Sequence, residues 1–572
     1  MNNNPQLNEY LDMSEFTKPV TDVKVPLQDM LLVGGDFSGI QKYIYKIASK
    51  HAARSLKGRS FYLHLLSDSI VRFLLKRLGL TKDSVVYDSG GSFYLTAPDT
   101  EETCKIIEEA ALDIERCLFD AHGTDLFLAL DYVKLPKDAF LCQNGQDLPK
   151  VWSELFTKRA VQKKRKFMRL ISSEPNRFFT TSMHGGDFKR DSVTGEELDE
   201  NVSADSYGLL LSPITRDQIE VGKALQTHDC MLITEEPVKE WNNITHVTPA
   251  HLGFTYYFIK SQELQKWSSI AGKINVEKET IKGTMKFVRT FEELCEGQNL
   301  DRLGVLRMDV DNLGKFFKEA LPAKAATLER YKSLSHKFDY FFSDYLYDIQ
   351  NAVAPNTSLI IYSGGDDLFI VGAWDYIINF AKLIRERFKD FTQNNLHFSI
   401  SGGVTIVKDT FPIIKAAEES ALEEHLAKEH KIVTSDGRIL EKNSISFMGR
   451  PMNWDTEFPA VENLKNKLLG LLNTELLNKS FIGKVIMHAA NADIQDHKVN
   501  NVKTYWMLTY DLKRMIQRKG KTDVRLLIDT CIKEVCNNTQ TLNGQRIETN
   551  YHPLELWSLA CRWTELEYRT RS

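Results

Sequence analysis

Long apolar runs are missing from this chain. Its start, MNNNPQLNEY, is polar, and no stretch of the 572 residues approaches a membrane span. A membrane partner is therefore not expected, and a cytoplasmic location is. Cysteine is sparse and unpaired in sequence. Cys104, Cys117, Cys142, Cys230, Cys295, Cys531, Cys536 and Cys561 form no CxxC pair, which argues against zinc ribbons and dithiol redox motifs. They read as buried thiols of a reducing compartment. A large excess of one charge is also lacking. The net charge of −4 does not announce a nucleic-acid binder. No notable low-complexity segment interrupts the chain, and its length suits three to four domains.

What is present is concentrated in a few segments. Ser363-Gly364-Gly365-Asp366-Asp367 sits inside LIIYSGGDDLFIVG. Two β-forming runs flank a tight Gly-Gly turn, which predicts a hairpin with two carboxylates at its tip. Adjacent carboxylates repel unless a cation lies between them, and Mg²⁺ favours oxygen ligands. A solvated turn is the plainer alternative. A second segment, LGVLRMDVDNLGKFF, reads as a strand ending in Asp309-Val310-Asp311 and running into a helix. Alternation along a strand would put Asp309 and Asp311 on one face. Between the two motifs, Tyr331, Leu334, Phe338, Phe341, Phe342, Tyr345 and Ile349 recur at helical spacing. Strand with Asp, helix, then hairpin with Asp-Asp is the layout of a polymerase or cyclase palm built for two-metal phosphoryl transfer.

The pattern occurs twice. LLVGGDFSGIQKYIY matches the Asp309 segment, and SVVYDSGGSFYLTAP matches the hairpin. The interval from Asp36 to Gly90 equals that from Asp309 to Gly364 to within one residue. An internal duplication follows. In the first copy Ser38 stands for Asp311, and Ser92 and Phe93 stand for Asp366 and Asp367. Only Asp36 is kept, so this copy is expected to be silent in catalysis. Ser89, Gly90 and Gly91 remain candidates for docking a second nucleotide.

The combination of GGDFSGIQKYIY, SLKGRSFYL, GGSFYL, LRMDVDNLG, SGGDD, SGGVTIV, KNSISFMG and MNWDTEF resembles the large palm-polymerase subunit of type III CRISPR effector complexes. It is most similar to the Csm-type (III-A) version, from about Met30 onward. The resemblance implies an α+β fold with two ferredoxin-like palms, an inserted α/β domain and a C-terminal helical domain. The expected limits are 1–28 for a short extension, 29–140 for a degenerate first palm and 141–285 for the intervening domain. The active second palm is expected at 286–458 and the helical domain at 459–572. It implies a complex with guide RNA, target RNA and other subunits, in which target RNA switches on synthesis of cyclic oligoadenylate from ATP. A subunit that holds RNA mainly through its partners need not be basic.

Site residues follow from the motifs. Asp309, Asp366 and Asp367 are the expected catalytic groups. With Asp311 they are the candidate ligands of two Mg²⁺ or Mn²⁺ ions. Ser363, Gly364, Gly365 and Lys428 are candidates for nucleotide binding, Lys428 as a triphosphate clamp. The run KRAVQKKRKFMRL offers Lys163, Lys164, Arg165 and Lys166 to RNA phosphates, with a solvated helix face as the alternative. Two departures from the family shape the expectation. Only about 30 residues precede the first palm, so no HD-type nuclease domain is expected. The stretch Lys189 to Gly208 has no cysteine, so no zinc is expected. Alternatives from other classes are a scaffold with a vestigial palm, a free-standing GGDEF-like cyclase, and an enzyme joining AMP to another acceptor. The segment Leu313 to Ala326 has neither the Asn nor the Asp by which GGDEF cyclases read guanine.

Overall fold

The computed structural model describes all residues except 1–6, 8, 19, 21–24, 48–51, 180–188, 199–201, 203, 205–207, 236, 265–275, 282–289, 297–299, 314–323, 354–356, 396, 496–497, 520–521 and 572. Strands β1 (Met30–Ser38), β2 (Val85–Ser89), β3 (Ser92–Pro98) and β4 (Phe127–Leu135) form a sheet in the order β2-β3-β1-β4. Helices Ala52–Leu78 and Glu101–His122 connect β1 to β2 and β3 to β4. Thr100 caps the second of these by accepting from the Thr103 amide, and Glu101 and Glu102 complement its N-terminal dipole. An intervening sheet of order β6-β7-β5-β8 follows, from β5 (Cys230–Thr234), β6 (His246–Val247), β7 (Thr255–Ile259) and β8 (Glu277–Thr280).

The second large sheet repeats the first and extends it. Its strands are β9 (Arg302–Val310), β10 (Ser358–Gly364), β11 (Asp367–Ala373) and β12 (Ile400–Lys408). A small hairpin, β13 (Lys431–Val433) and β14 (Ile439–Glu441), stands apart from it. Then β15 (Ser444–Phe447) and β16 (Arg450–Asn453) complete the order β10-β11-β9-β12-β15-β16, with β15 parallel to β12. The two units exchange helices. Ala52–Leu78 of the first packs on β10, and Leu328–Asp339 of the second packs on β2. Burial therefore runs across the boundary: Leu31 and Val33 share a core with Val305, Ile361 and Phe369.

The aromatic stripe from Tyr331 to Ile349 is buried at every expected position. It is not one regular α-helix, however. Leu328–Asp339 passes through a π-helical segment, Tyr340–Tyr345, into Leu346–Val353. The Ser363 hydroxyl donates to the Phe342 carbonyl inside that segment. Five helices, Glu457–Asn473, Lys479–Ala490, Val502–Lys519, Thr522–Asn537 and Pro553–Arg571, dominate the C-terminal region. Leu464, Leu468, Leu472, Leu508 and Leu512 are buried there.

Two expectations need revision. Helix Leu148–Lys164 was placed with the intervening segment, yet it packs on β4 and β1. Its apolar side, Val151, Trp152 and Leu155, is buried in one core with Leu32, Tyr94 and Val133. Cys536 is exposed, while Cys230, Cys295, Cys531 and Cys561 are buried. Among the described residues, no helix is long and apolar enough to cross a membrane.

Candidate active site

Three strands bring the carboxylates together. β9 lies between β11 and β12, and its register sets Asp309 opposite both Asp367 and Ser401. The turn that joins β10 to β11 is Gly365-Asp366, one residue later than the Gly-Gly turn expected from sequence. Gly364 belongs to the strand and pairs with Asp367. Gly365 has φ of 69°, a value that suits glycine. Asp366 thus stands at the tip. Its backbone carbonyl accepts from the Val310 amide at 2.9 Å, fixing the hairpin to the end of β9.

The same bond exists in the first unit, where the Phe37 amide donates to Gly91. Asp36 faces Ser92 as Asp309 faces Asp367. Both hairpins carry an irregularity at the same place, between Val85 and Tyr87 and between Ile360 and Tyr362. Asp366 and Asp367 therefore correspond to Gly91 and Ser92, not to Ser92 and Phe93. The shift matters little to chemistry, because neither replacement is a carboxylate.

Asp309 retains 27% of its side-chain surface and accepts from the Lys428 ammonium at 2.8 Å. Lys428 also reaches Glu424, one turn earlier on helix Ile413–Glu429, at 2.9 Å. Burial works against the charge of Lys428, but Asp309 and Glu424 outweigh it and raise its pKa. Burial, then Asp366, pushes the Asp309 carboxyl up to about 8 against the pull of Lys428. Burial and Asp366 likewise push Asp367 up to about 7, and burial raises Asp366. Lys428, the candidate triphosphate clamp, is drawn onto the carboxylates.

Asp311, the fourth expected ligand, sits just past the strand, and its buried Oδ1 has no hydrogen-bond partner among the described residues. β9 ends at Val310, so the strand alternation stops before it. Its Oδ2 accepts from the Ser399 hydroxyl at 2.6 Å, the Ser401 hydroxyl at 2.9 Å and the Asn443 amide at 3.1 Å. With 2% exposure it pins the strand end to β12 and to the loop before β15. Ser89 is also engaged. It accepts from the Gly365 amide at 2.9 Å and donates to Asp339 at 3.2 Å. The tips meet closely enough that a Cβ on Gly90 would lie 3.2 Å from the Gly364 carbonyl.

The basic run divides. Lys163 pairs with Asp36 at 2.6 Å, so it is not a free phosphate contact, while Lys164, Arg165 and Lys166 are exposed at the helix end. The sequence reading also missed several neighbours of the site. Arg307, two residues before Asp309 on the same strand face, donates to Gln41 at 2.8 Å. Gln41, on helix Ile40–Tyr45 of the first unit, reaches Asp367 at 3.4 Å. The i, i+4 spacing of Glu424 to Lys428 was the available signal for Glu424. A cavity of about 710 Å³, lined in part by Tyr43, Arg59, His122, Asp125 and Gln218, does not include Asp309, Asp366 or Asp367 in its lining.

The donor set suits a hard divalent cation. Asp309, Asp366 and Asp367 offer carboxylate oxygens, and burial raises the pKa of all three, with Asp366 adding to it at Asp309 and Asp367. As they stand, no three His, Cys, Asp or Glu side chains among the described residues form a ready metal cage. At Asp309 the Lys428 ammonium occupies one carboxylate oxygen.

Comparison with known proteins adds the family. Residues 29–181 match the model of Csm1 subunit domain B, and residues 302–434 match the second palm domain of Cas10/Cmr2. The chain belongs to the Cas10/Csm1 family. A Cas10/Csm1 single-strand-specific deoxyribonuclease of subtype III-A from Enterococcus italicus is 28% identical over 479 residues, 81% of this chain and 60% of that protein. Its Mycobacterium tuberculosis counterpart is 29% identical over 534 residues, 86% of this chain and 62% of that one. The chain thus spans about three fifths of the length of these relatives. Among solved structures, an apo Csm1–Csm4 cassette superposes with a TM-score of 0.65 at 20% identity, covering 96% of this chain and 72% of that one. A Csm1–Csm4 cassette in complex with pppApApA gives 0.64 at 19% identity, covering 97% and 72%. At this identity the likeness establishes the shared fold.

Proposed function

We propose that this Cas10/Csm1 family chain is the nucleotidyltransferase of a type III-A CRISPR complex, making cyclic oligoadenylate from ATP when target RNA is bound. The observation that carries the reading is the meeting of Asp309, Asp366 and Asp367 at the joined tips of two hairpins. A structural role alone would not favour this burial of mutually repelling carboxylates. It argues against a vestigial palm that serves only as a scaffold. A neighbour solved with pppApApA, and another with one ATP, supports nucleotide as the substrate class.

Asp309, Asp366 and Asp367 would hold two Mg²⁺ or Mn²⁺ ions. Such a pair, when bound, acidifies an attacking hydroxyl and stabilises charge on the phosphates. The protein supplies the rest. β9 and the hairpin hold the carboxylates in register, and Gly365 lets the backbone come close to a nucleotide. Lys428 carries positive charge to the same face. Asp36, neutralised by Lys163, leaves the first unit to position an acceptor nucleotide. The partners in this reading are a Csm4-like subunit, guide RNA and target RNA, with Lys164, Arg165 and Lys166 available to RNA phosphates. The test is product analysis after the assembled complex is incubated with ATP, Mg²⁺ and target RNA. Cyclic oligoadenylate is the expected product. Its absence, or AMP attached to another acceptor, would overturn the reading.

A further inference from the structure

Both units place a lysine on the aspartate at the end of their first strand. Lys163, near the end of helix Leu148–Lys164, lies 2.6 Å from Asp36. Lys428, near the end of helix Ile413–Glu429, lies 2.8 Å from Asp309. Each helix follows the fourth strand of its unit, so the duplication includes this ion pair.

The residue one turn earlier differs in sign. In the first unit it is Arg159, whose guanidinium lies 3.9 Å from the same Asp36 oxygen. Arg159 is held there by the Gly35 carbonyl at 3.3 Å and the Tyr94 hydroxyl at 2.6 Å. It repels Lys163 and offers it no other anion. In the second unit the residue is Glu424. Its Oε1 already takes a second hydrogen bond from Lys428 at 2.9 Å, and its Oε2 lies 3.7 Å from Arg307. Glu424 keeps only 13% of its side-chain surface, so its charge is poorly screened by solvent.

We propose that Glu424 is a positioning residue that receives Lys428 when a divalent cation takes its place on Asp309. An ammonium and a dication cannot share one carboxylate oxygen. A half-buried ammonium pushed off Asp309 without another anion would be stranded at high cost. Glu424 removes that cost by holding Lys428 within one hydrogen bond of where it began. The second unit can therefore exchange its internal cation for a metal ion. The first unit, with Arg159 in the equivalent place, keeps its lysine as a permanent substitute. The inference rests on the proposed nucleotidyl-transfer site only for the identity of the metal ligands.

The experiment is Mn²⁺ titration of the full chain without nucleotide, followed by electron paramagnetic resonance. Wild type, Asp309→Asn, Glu424→Gln, Lys428→Met and the Glu424→Gln/Lys428→Met double variant are compared, with folding checked by circular dichroism. Glu424→Gln should weaken Mn²⁺ binding by about tenfold. Lys428→Met should bind at least as tightly as wild type. In that background the glutamate change should lose its effect, so the double variant matches Lys428→Met. An unchanged affinity in Glu424→Gln would overturn the proposal. So would a full tenfold loss that persists without Lys428, since Glu424 would then be a metal ligand. A Mn²⁺-bound structure gives an independent check: Lys428 should bond to Glu424 and not to Asp309. If Mn²⁺ binding does not depend on Asp309, the metal site and this proposal fail together. If the titrations behave as expected but the complex makes no nucleotide product, only the functional reading fails.

Discussion

The amide of Gly365 donates to the hydroxyl of Ser89 at 2.9 Å, so the tip of one hairpin is bonded to the tip of the other. One unit carries the carboxylates and the other holds them in place. The contact joins the first unit to the candidate site although that unit keeps only Asp36 of the acids.

Replacing both Asp366 and Asp367 by Ala should reduce nucleotide polymerisation by at least ~10³-fold. Complex assembly and RNA binding should survive, because the sheet at these positions is paired through the backbone. Product assays beside a gel-shift measurement would check this. Activity within tenfold of wild type would remove these residues from the mechanism.

Gly90→Ala tests the joined tips. The glycine has φ of 62°, and its new Cβ would sit 3.2 Å from the Gly364 carbonyl and 3.3 Å from Gly365 Cα. A left-handed conformation costs an ordinary residue about 1–2 kcal/mol. Denaturant unfolding should show a loss of that size, and synthesis should fall while Mn²⁺ affinity is retained.

Glu457→Ala tests the join between the second sheet and the C-terminal helices. Glu457 is wholly buried, and its carboxylate accepts from His430 at 2.6 Å, from the Asn453 amide at 3.0 Å and from the Thr549 hydroxyl. Removing it strands three buried polar groups. A loss of about 3–5 kcal/mol is expected from denaturation curves. A loss below 1 kcal/mol would show that the network is dispensable.

Acid should weaken the fold through His122. Its ring lies between the hydroxyls of Tyr43 and Tyr62, and burial, then Arg59, lowers its pKa to about 3. Unfolded, it titrates near 6.5, so between these values the unfolded chain binds the extra proton. This contribution is complete above about pH 6.5 and is lost as the pH falls toward 3. Unfolding midpoints measured across that range should flatten in His122→Gln relative to wild type. Parallel pH profiles for the two proteins would refute the assignment.

Periodicity and motif order made much of this molecule legible. The buried stripe Tyr331, Leu334, Phe338, Phe341, Phe342, Tyr345 and Ile349 follows from spacing alone, because one face of a helix must meet the sheet. The strand Asp309 and the hairpin Asp-Asp could be read for the same reason: alternation and turn chemistry are local. What failed was also local in origin. The turn lies one residue later than the glycines suggest, because the register of the strands pairs Gly364 with Asp367.

Residue types, their order along the chain and the duplication were determined by the sequence by itself. So was the loss of acids from the first copy, since no packing can restore a carboxylate to Ser92. Only the tertiary structure decided which charges meet. Lys428 could have faced solvent. Instead, helix Ile413–Glu429 lays Lys428 on Asp309, and Ser399, Ser401 and Asn443 hold one oxygen of Asp311. Gln41 and Asp367 lie 326 positions apart and touch because helix Ile40–Tyr45 of the first unit packs on helix Ile413–Glu429 of the second. Local pattern sets which face a side chain occupies. Its partner across the interface is set by the packing of distant segments, which carries no periodic signature in the chain.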